Sequence, residues 1–164
     1  AQAIRAEGSL TAIATSPLSR CALFANQASE QSSLPLTILE DMREIDFGDW
    51  EGKQAHEIEE QELLTRFMEN PDGVDLPGGE LFNEFAARTI AEWDKWLNAV
   101  SGEHRLLIAH GLVIRIILSH LLGQPLSYIW RLALPYGAWC RVSLLQGEQP
   151  RLLFMNREVT CHAD

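Results

Sequence analysis

The chain alternates short, unbroken apolar runs with longer stretches in which apolar residues recur every three or four positions. The first run, Leu10-Thr11-Ala12-Ile13-Ala14-Thr15, is partly β-branched and stops at Ser16-Pro17, which suits a strand buried on both faces of a parallel sheet. Helical spacing takes over across 18–30, with Ser16 placed to cap and Pro17 at the first helical position, where its missing N–H costs nothing. The same succession returns later as an apolar strand over 105–109, a turn at His110-Gly111 and a helix over 112–122 closed by Gly123 and Pro125. Residues 1–6 read as the tail of a helix closed by Gly8, since glycine commonly stands just past a helix end.

Between these two units the pattern predicts a strand at Thr37-Ile38-Leu39 and an irregular acidic loop reaching Gly52. Two helices follow, one over 56–70, stopped by Pro71-Asp72-Gly73, and one over 80–100, introduced by Leu76-Pro77-Gly78-Gly79. In the second, Leu81, Phe85, Ile90, Trp93, Trp96 and Leu97 form a broad apolar stripe suited to core packing. The whole region 53–100 reads as a helical cap or insertion. A short helix over 126–132 and two strand-like runs, 139–145 and 151–155, joined by a turn containing Gly147 and Pro150, complete the pattern. This order predicts an α/β fold with a mainly parallel sheet and one antiparallel edge. It forms a single domain over 1–155 with a polar tail at 156–164.

Length and composition narrow the class. The 164 residues and 18.4 kDa suit one domain and not two. Hydrophobic residues at 46% and charged residues at 22% argue against disordered, collagen-like and coiled-coil chains. The net charge of −10, from 13 Lys+Arg against 23 Asp+Glu, disfavours a broad phosphate-backbone interface or an anionic membrane surface, so neither nucleic acid nor membrane is expected as a partner. The longest apolar stretch, 112–122, is interrupted by Arg115, Ser119 and His120 and falls short of the roughly 18–20 residues that span a bilayer. Cys21, Cys140 and Cys161 are odd in number and far apart, without a C-x-x-C pair. They indicate neither a disulfide framework nor a thiolate zinc site, and they fit a reducing, cytoplasmic compartment.

Ligands of open α/β sheets bind beyond the carboxyl ends of the strands, which directs attention to Ser16-Pro17-Leu18-Ser19-Arg20 and to His110-Gly111. Arg20 falls on the first turn of its helix, where the helix dipole disfavours a cation unless an anion lies between it and the free N–H groups; a surface ion pair is the competing explanation. His110 follows an apolar strand directly, and Gly111 permits close backbone approach while the next N–H groups of the helix stay unpaired. That describes an anion site with an imidazole on its rim, against the alternative of a core histidine bonded to a backbone carbonyl. His56, His104 and His162 sit in polar contexts, and His120 is expected on the apolar side of its helix. The loop 41–52 holds the five carboxylates of Asp41, Glu44, Asp46, Asp49 and Glu51, interleaved with Phe47 and Trp50. Carboxylates beside apolar groups acquire raised pKa values and can donate protons near neutrality; a solvated acidic loop is the plain alternative. Asp46-Phe47-Gly48-Asp49 lacks the alternating spacing of a calcium loop.

Four segments in order, S-P-L-S-R at 16–20, R-E-I-D-F-G-D-W-E-G at 43–52, P-G-G-E at 77–80 and A-H-G at 109–111, resemble the histidine phosphatase superfamily, and the likeness extends from residue 1 to about 153. The resemblance implies a three-layer α/β/α fold of the phosphoglycerate-mutase-like type and phosphoryl transfer through a covalent phosphohistidine, with no metal or cofactor, on a small phosphorylated metabolite. Carried over residue by residue, Arg20 clamps the phosphate, Glu44 acts as general acid and then base, His110 contacts the phosphoryl oxygens, and the Gly111 N–H adds a donor. The form of the second segment and the compact region before Pro77 look like the small phosphatase branch that includes α-ribazole phosphatase of cobalamin synthesis. Phosphoglycerate mutase and fructose-2,6-bisphosphatase-like enzymes are the runners-up. The family's Arg-His-Gly, which supplies the nucleophilic histidine, another phosphate-binding arginine and a first strand lying inside the sheet, does not occur in the sequence. The expectation is therefore that the front of a domain of roughly 200 residues precedes Ala1; a non-catalytic phosphate-binding or interaction module is the alternative.

Overall fold

Strand β1 (Ala12–Thr15) is buried along its whole length, because alanine, isoleucine and threonine let a layer close on each face. In the computed structural model, which describes residues 10–101 and 103–157, β1 is the middle of a parallel sheet ordered β2-β1-β3, with β2 at Leu36–Ile38 and β3 at Arg105–Ile108. Side chains alternate across a strand, and here the alternation divides the core. Ile13, Leu36, Leu106 and Ile108 pack with Ala25 and Ala28 of helix α1 (Ser19–Ser32), while Ala14 and Leu107 belong to a larger cluster on the other face. The result is the three-layer α/β/α arrangement that the resemblance implies.

The larger cluster is built by helices α2 (Gln61–Glu69), α3 (Phe82–Ala99) and α4 (Gly111–Leu121). Phe67 of α2 meets Phe47, Trp50, Phe82 and Trp130 edge-on at 5.5 to 6.2 Å between centroids, the geometry that ring quadrupoles favour. Phe82, Phe85, Trp93 and Trp96 of α3 share this core with Leu112, Val113 and Ile116 of α4. The region 53–100, expected as a cap, therefore supplies with α3 a wall of the main core. Its first helix is shorter than 56–70, because the chain first makes a 3-10 turn at Ala55–Glu57 with a reciprocal Gln54–Glu57 cap. Residues 126–131 are likewise a 3-10 helix.

Two expectations change at the sheet. Strands β4 (Trp139–Ser143) and β5 (Arg151–Arg157) pair antiparallel with each other as a separate two-stranded sheet. Among the described residues they add no antiparallel edge to β2-β1-β3, since the hairpin satisfies its backbone groups within itself. Strand β5 also takes in residues 156 and 157 of the expected tail; residues 158–164 and the helix tail expected at 1–6 lie outside the described residues. The second change concerns the turn after β1. Helix α1 starts at Ser19 with Leu18 as its N-cap and no side-chain cap, so Ser16 does not cap and Pro17 is not the first helical residue. Ser16 instead extends the strand, its N–H donating to Ile108 O at 3.0 Å, and its hydroxyl is freed for the site.

Candidate functional site

Because β1 and β3 are adjacent and parallel, their carboxyl ends deliver Ser16 and His110 side by side. His110 Nε2 lies 2.7 Å from Ser16 Oγ, and Arg20 Nε donates to His110 Nδ1 at 3.1 Å. A guanidinium has no acceptor, so Nδ1 accepts and the neutral ring carries its hydrogen on Nε2, which donates to Ser16 Oγ. That oxygen also accepts the Leu18 N–H at 3.3 Å. Cys21 Sγ flanks the ring at 3.7 and 3.8 Å from the two nitrogens. Burial, and after it the Arg20 guanidinium, pull the His110 pKa down from 6.5 to about 4, so the imidazole is neutral at pH 7. Burial pushes the Cys21 thiol up. Arg20 itself is exposed, and among the described residues its Nη groups have no hydrogen-bond partner.

Glu44 completes the group from the other side. Its Oε2 accepts the Leu112 N–H and its Oε1 the Ile45 N–H, both at 3.3 Å, with the Val113 N–H also favouring the carboxylate. The α4 amides expected to be open to a ligand are thus shared with an internal carboxylate, whereas the Gly111 N–H has no partner among the described residues. Burial raises the Glu44 pKa above the ordinary carboxylate value, against the opposing pull of these amides and Arg20. Arg20, Glu44, His110 and Gly111 are therefore brought together. The other carboxylates of the loop turn to local work: Asp46 Oδ1 accepts the Gly48 N–H at 2.9 Å and Glu51 Oε1 the Phe47 N–H at 3.2 Å.

The Glu44 loop is held from α3. Arg88 of α3 donates to the carbonyls of Asp41 (2.6 Å), Arg43 (3.0 Å) and Glu44 (3.3 Å), and grips both Glu80 oxygens at 2.7 and 2.8 Å. The P-G-G-E segment thereby acquires a physical role. Gly48 and Gly79 let two loops stack backbone on backbone, since a Cβ on Gly48 would come within 2.3 Å of Gly79 N and Pro77 O. Gly48 also takes φ +53°, in the left-handed region that glycine tolerates. The adjoining Glu80 then anchors Arg88.

In the sequence Arg115 is an interruption of the apolar stretch 112–122. Helical side chains lean toward the N-terminus of their helix, so Arg115, one turn into α4, reaches back over Gly111. Its Nη1 lies 2.9 Å from where a Gly111 Cβ would stand. Its Nε donates to Leu132 O at 2.9 Å, and its guanidinium sits 5.6 Å from the Trp130 ring centroid. Burial lowers its pKa and Glu44 opposes the shift. The remaining histidines are elsewhere: His56 is exposed, His104 Nδ1 lies 3.4 Å from Arg141 Nη2, and His162 is outside the described residues. His120, expected on the apolar side of α4, is exposed and lies 3.5 Å from Asp94; it occupies the last turn, where the helix has left the core. Among the described residues no three His, Cys, Asp or Glu side chains gather as metal ligands would, and no helix is long and apolar enough to cross a membrane.

Known proteins resemble this chain in sequence and in fold. The chain is 26% identical over 155 residues to "Phosphoserine phosphatase 1" of Hydrogenobacter thermophilus, with 93% of this chain and 72% of that protein covered. It is 29% identical over 144 residues to "Probable phosphoglycerate mutase GpmB" of Yersinia pestis, with 87% and 66% covered, so it spans about two thirds to three quarters of these relatives. Among solved structures, YhfR of Bacillus stearothermophilus superposes with a TM-score of 0.80 at 26% identity, over 92% of this chain and 76% of that one. The α-ribazole phosphatase of Shigella flexneri superposes with a TM-score of 0.77 at 22% identity, over 95% and 79%, a likeness of fold. The family model of the histidine phosphatase superfamily (branch 1) matches residues 1–158, and the chain belongs to that superfamily.

Proposed function

We propose that the protein is a phosphomonoester hydrolase of small phosphorylated metabolites, in which Arg20, His110 and the Gly111 N–H hold the phosphoryl group and Glu44 exchanges the proton. The observation that carries this reading is the meeting of Arg20, His110 and Glu44 at the ends of two adjacent parallel strands, with the Arg20 Nη groups and the Gly111 N–H without hydrogen-bond partners among the described residues. A phosphoryl dianion supplies what these donors lack. The guanidinium fork matches two of its oxygens, and a ring held by Ser16 presents one edge at fixed orientation. Preorganised donors of this kind stabilise the charge that grows on the transferring oxygens.

Glu44 suits the leaving-group side. A carboxyl with raised pKa remains protonated at higher pH than an exposed one, and so can donate to the departing alkoxide. By the family resemblance, a histidine nitrogen forms the new bond to phosphorus as the ester P–O bond breaks and the alkoxide takes the Glu44 proton. Water then attacks the phosphohistidine, Glu44 takes the water proton, and phosphate leaves. That histidine belongs to the Arg-His-Gly segment, which this sequence does not contain. The free thiols of Cys21 and Cys140 and the metabolite substrate favour a cytoplasmic location. The α-ribazole 5'-phosphate expectation is supported by the compact 53–76 region and the fold likeness to the Shigella enzyme.

The test is release of phosphate from p-nitrophenyl phosphate by this chain and by the same chain preceded by an Arg-His-Gly strand. The extended form is expected to turn over, and Arg20→Ala or His110→Ala in it to cost about 2–4 kcal/mol of transition-state stabilisation. Glu44→Gln should slow poor leaving groups more than good ones, because only the former need the proton. Turnover by the chain as it stands would refute the assignment of the nucleophile. Wild-type rates in Arg20→Ala would refute the site.

A further inference from the structure

We infer that Arg88, clasped by Glu80, is a positioning residue for the proton exchange: it fixes the main chain that carries Glu44 and takes no part in holding the phosphoryl group. The inference rests on the phosphatase reading of the site. All five N–H donors of the Arg88 guanidinium are committed. Nη1 donates to Asp41 O at 2.6 Å and Arg43 O at 3.0 Å, Nη2 to Glu44 O at 3.3 Å and Glu80 Oε2 at 2.8 Å, and Nε to Glu80 Oε1 at 2.7 Å. Glu80 is tied in turn to the far side of Glu44, its main-chain N–H donating to Asp46 O at 2.9 Å. The clasp therefore straddles Glu44.

What the clasp fixes is the direction in which Glu44 points. Met42 and Ile45 bury their side chains, which holds the loop against the core but leaves the peptide planes between them free to turn. Turning them swings the Glu44 side chain away from α4, where its Oε2 accepts the Leu112 N–H. The carbonyls of Arg43 and Glu44, aimed at one planar guanidinium, stop that rotation. Arg88 and Glu80 are only 17% and 19% exposed, so water competes poorly for these bonds. The clasp works by placement and not by charge. The ionisable groups whose charge meets Glu44 are Arg20 and Cys21 of α1 and Arg115 of α4, whereas Arg88 is neutralised by Glu80. Arg20, His110 and Gly111 stand on α1 and at the start of α4, outside the hydrogen bonds of Arg88. The site thus has two halves that fail separately.

Carbon NMR of the Glu44 carboxyl followed against pH in this chain, with inorganic phosphate titrated into the same samples, tests the inference. In the wild type the Leu112 amide should titrate in step with the Glu44 carboxyl. In Arg88→Ala the carboxyl should swing toward water and its pKa fall to the ordinary carboxylate range as burial is lost. The Leu112 amide should then cease to follow it, while the dissociation constant for inorganic phosphate stays within about twofold. Arg88→Lys, which keeps the charge opposite Glu80 but not the planar fork, should show a partial fall; where the alanine variant does not fold, the lysine variant decides by the same criteria. A Glu44 pKa that stays raised, with Leu112 still following it, overturns the inference. So does a phosphate affinity that falls more than about twofold in the folded variant, because Arg88 would then support the phosphate half as well. A wild type that binds no inorganic phosphate overturns instead the reading of the site on which the inference rests.

Discussion

Replacing Ser16 by alanine tests the arrangement at its most buried point. Ser16 is fully buried, its Oγ is 2.7 Å from His110 Nε2, and it also accepts the Leu18 N–H. Alanine removes one oxygen and leaves little cavity, so packing changes hardly at all. What changes is that a buried Nε2–H loses its acceptor, at a cost of about 1–3 kcal/mol. The ring cannot escape by moving its hydrogen to Nδ1, because Arg20 Nε already donates there at 3.1 Å and two donors would then face each other. For a chain of this size about 2 kcal/mol corresponds to roughly 4–8 °C in Tm. Urea unfolding at pH 7.5 of Ser16→Ala, His110→Ala and the double variant should give a coupling of about 1–2 kcal/mol. Nitrogen NMR of the wild-type imidazole should show the hydrogen on Nε2. A loss below about 0.5 kcal/mol, additivity of the two substitutions, or a hydrogen found on Nδ1 would refute the reasoning.

Other expectations follow from the same geometry. Burial raises the Glu44 pKa in the folded state, so folding becomes less favourable as pH rises through that value. Glu44→Gln should therefore melt higher than the parent at pH 8 and show no advantage at pH 4, and a lower melting temperature at pH 8 would count against a strained buried carboxylate. His110 shifts the opposite way for stability: with its pKa pulled from 6.5 to about 4, the folded protein binds fewer protons than the unfolded one between those values. Its contribution is complete above the unfolded value and is lost as pH falls toward about 4, with a ceiling of about 3 kcal/mol; His110→Gln should flatten that acid limb in denaturant titrations. Arg88→Ala should cost about 3 kcal/mol in urea unfolding, because it strands the Glu80 carboxylate and three loop carbonyls. It should also speed amide exchange at Ile45, and unchanged exchange there would mean the loop does not depend on Arg88.

Local signals carried the α/β order well. The run from Leu10 to Thr15 and the turn at His110-Gly111 mark strand ends by composition, and ligands of open α/β sheets bind beyond strand ends, so Arg20 and His110 stand out as candidates in the sequence, whereas Glu44 is picked from among its loop's carboxylates only by the family resemblance. What stayed hidden depends on distance in space. Ser16 has the right chemistry for a cap, yet its main-chain N–H is claimed by β3, 92 residues away in sequence, at Ile108, and the hydroxyl turns to His110. The amides of Leu112 and Val113 seem free until Glu44, on another loop, fills them. Arg88 and Arg115 look like ordinary helix cations, and their partners at Asp41, Glu80, Gly111 and Leu132 become neighbours only after folding. The separate β4–β5 sheet was unreadable for the same reason: a hairpin pattern specifies its own pairing and not the sheet that it joins.

The central claim is that Arg20, His110 and the Gly111 N–H form one phosphate site, and NMR titration of this chain with inorganic phosphate tests it most directly. Saturable shifts of the Gly111 amide and the His110 ring nitrogens are expected with a common dissociation constant, both abolished in Arg20→Ala. Phosphate that leaves these two signals unmoved, or moves them equally in Arg20→Ala, would contradict it.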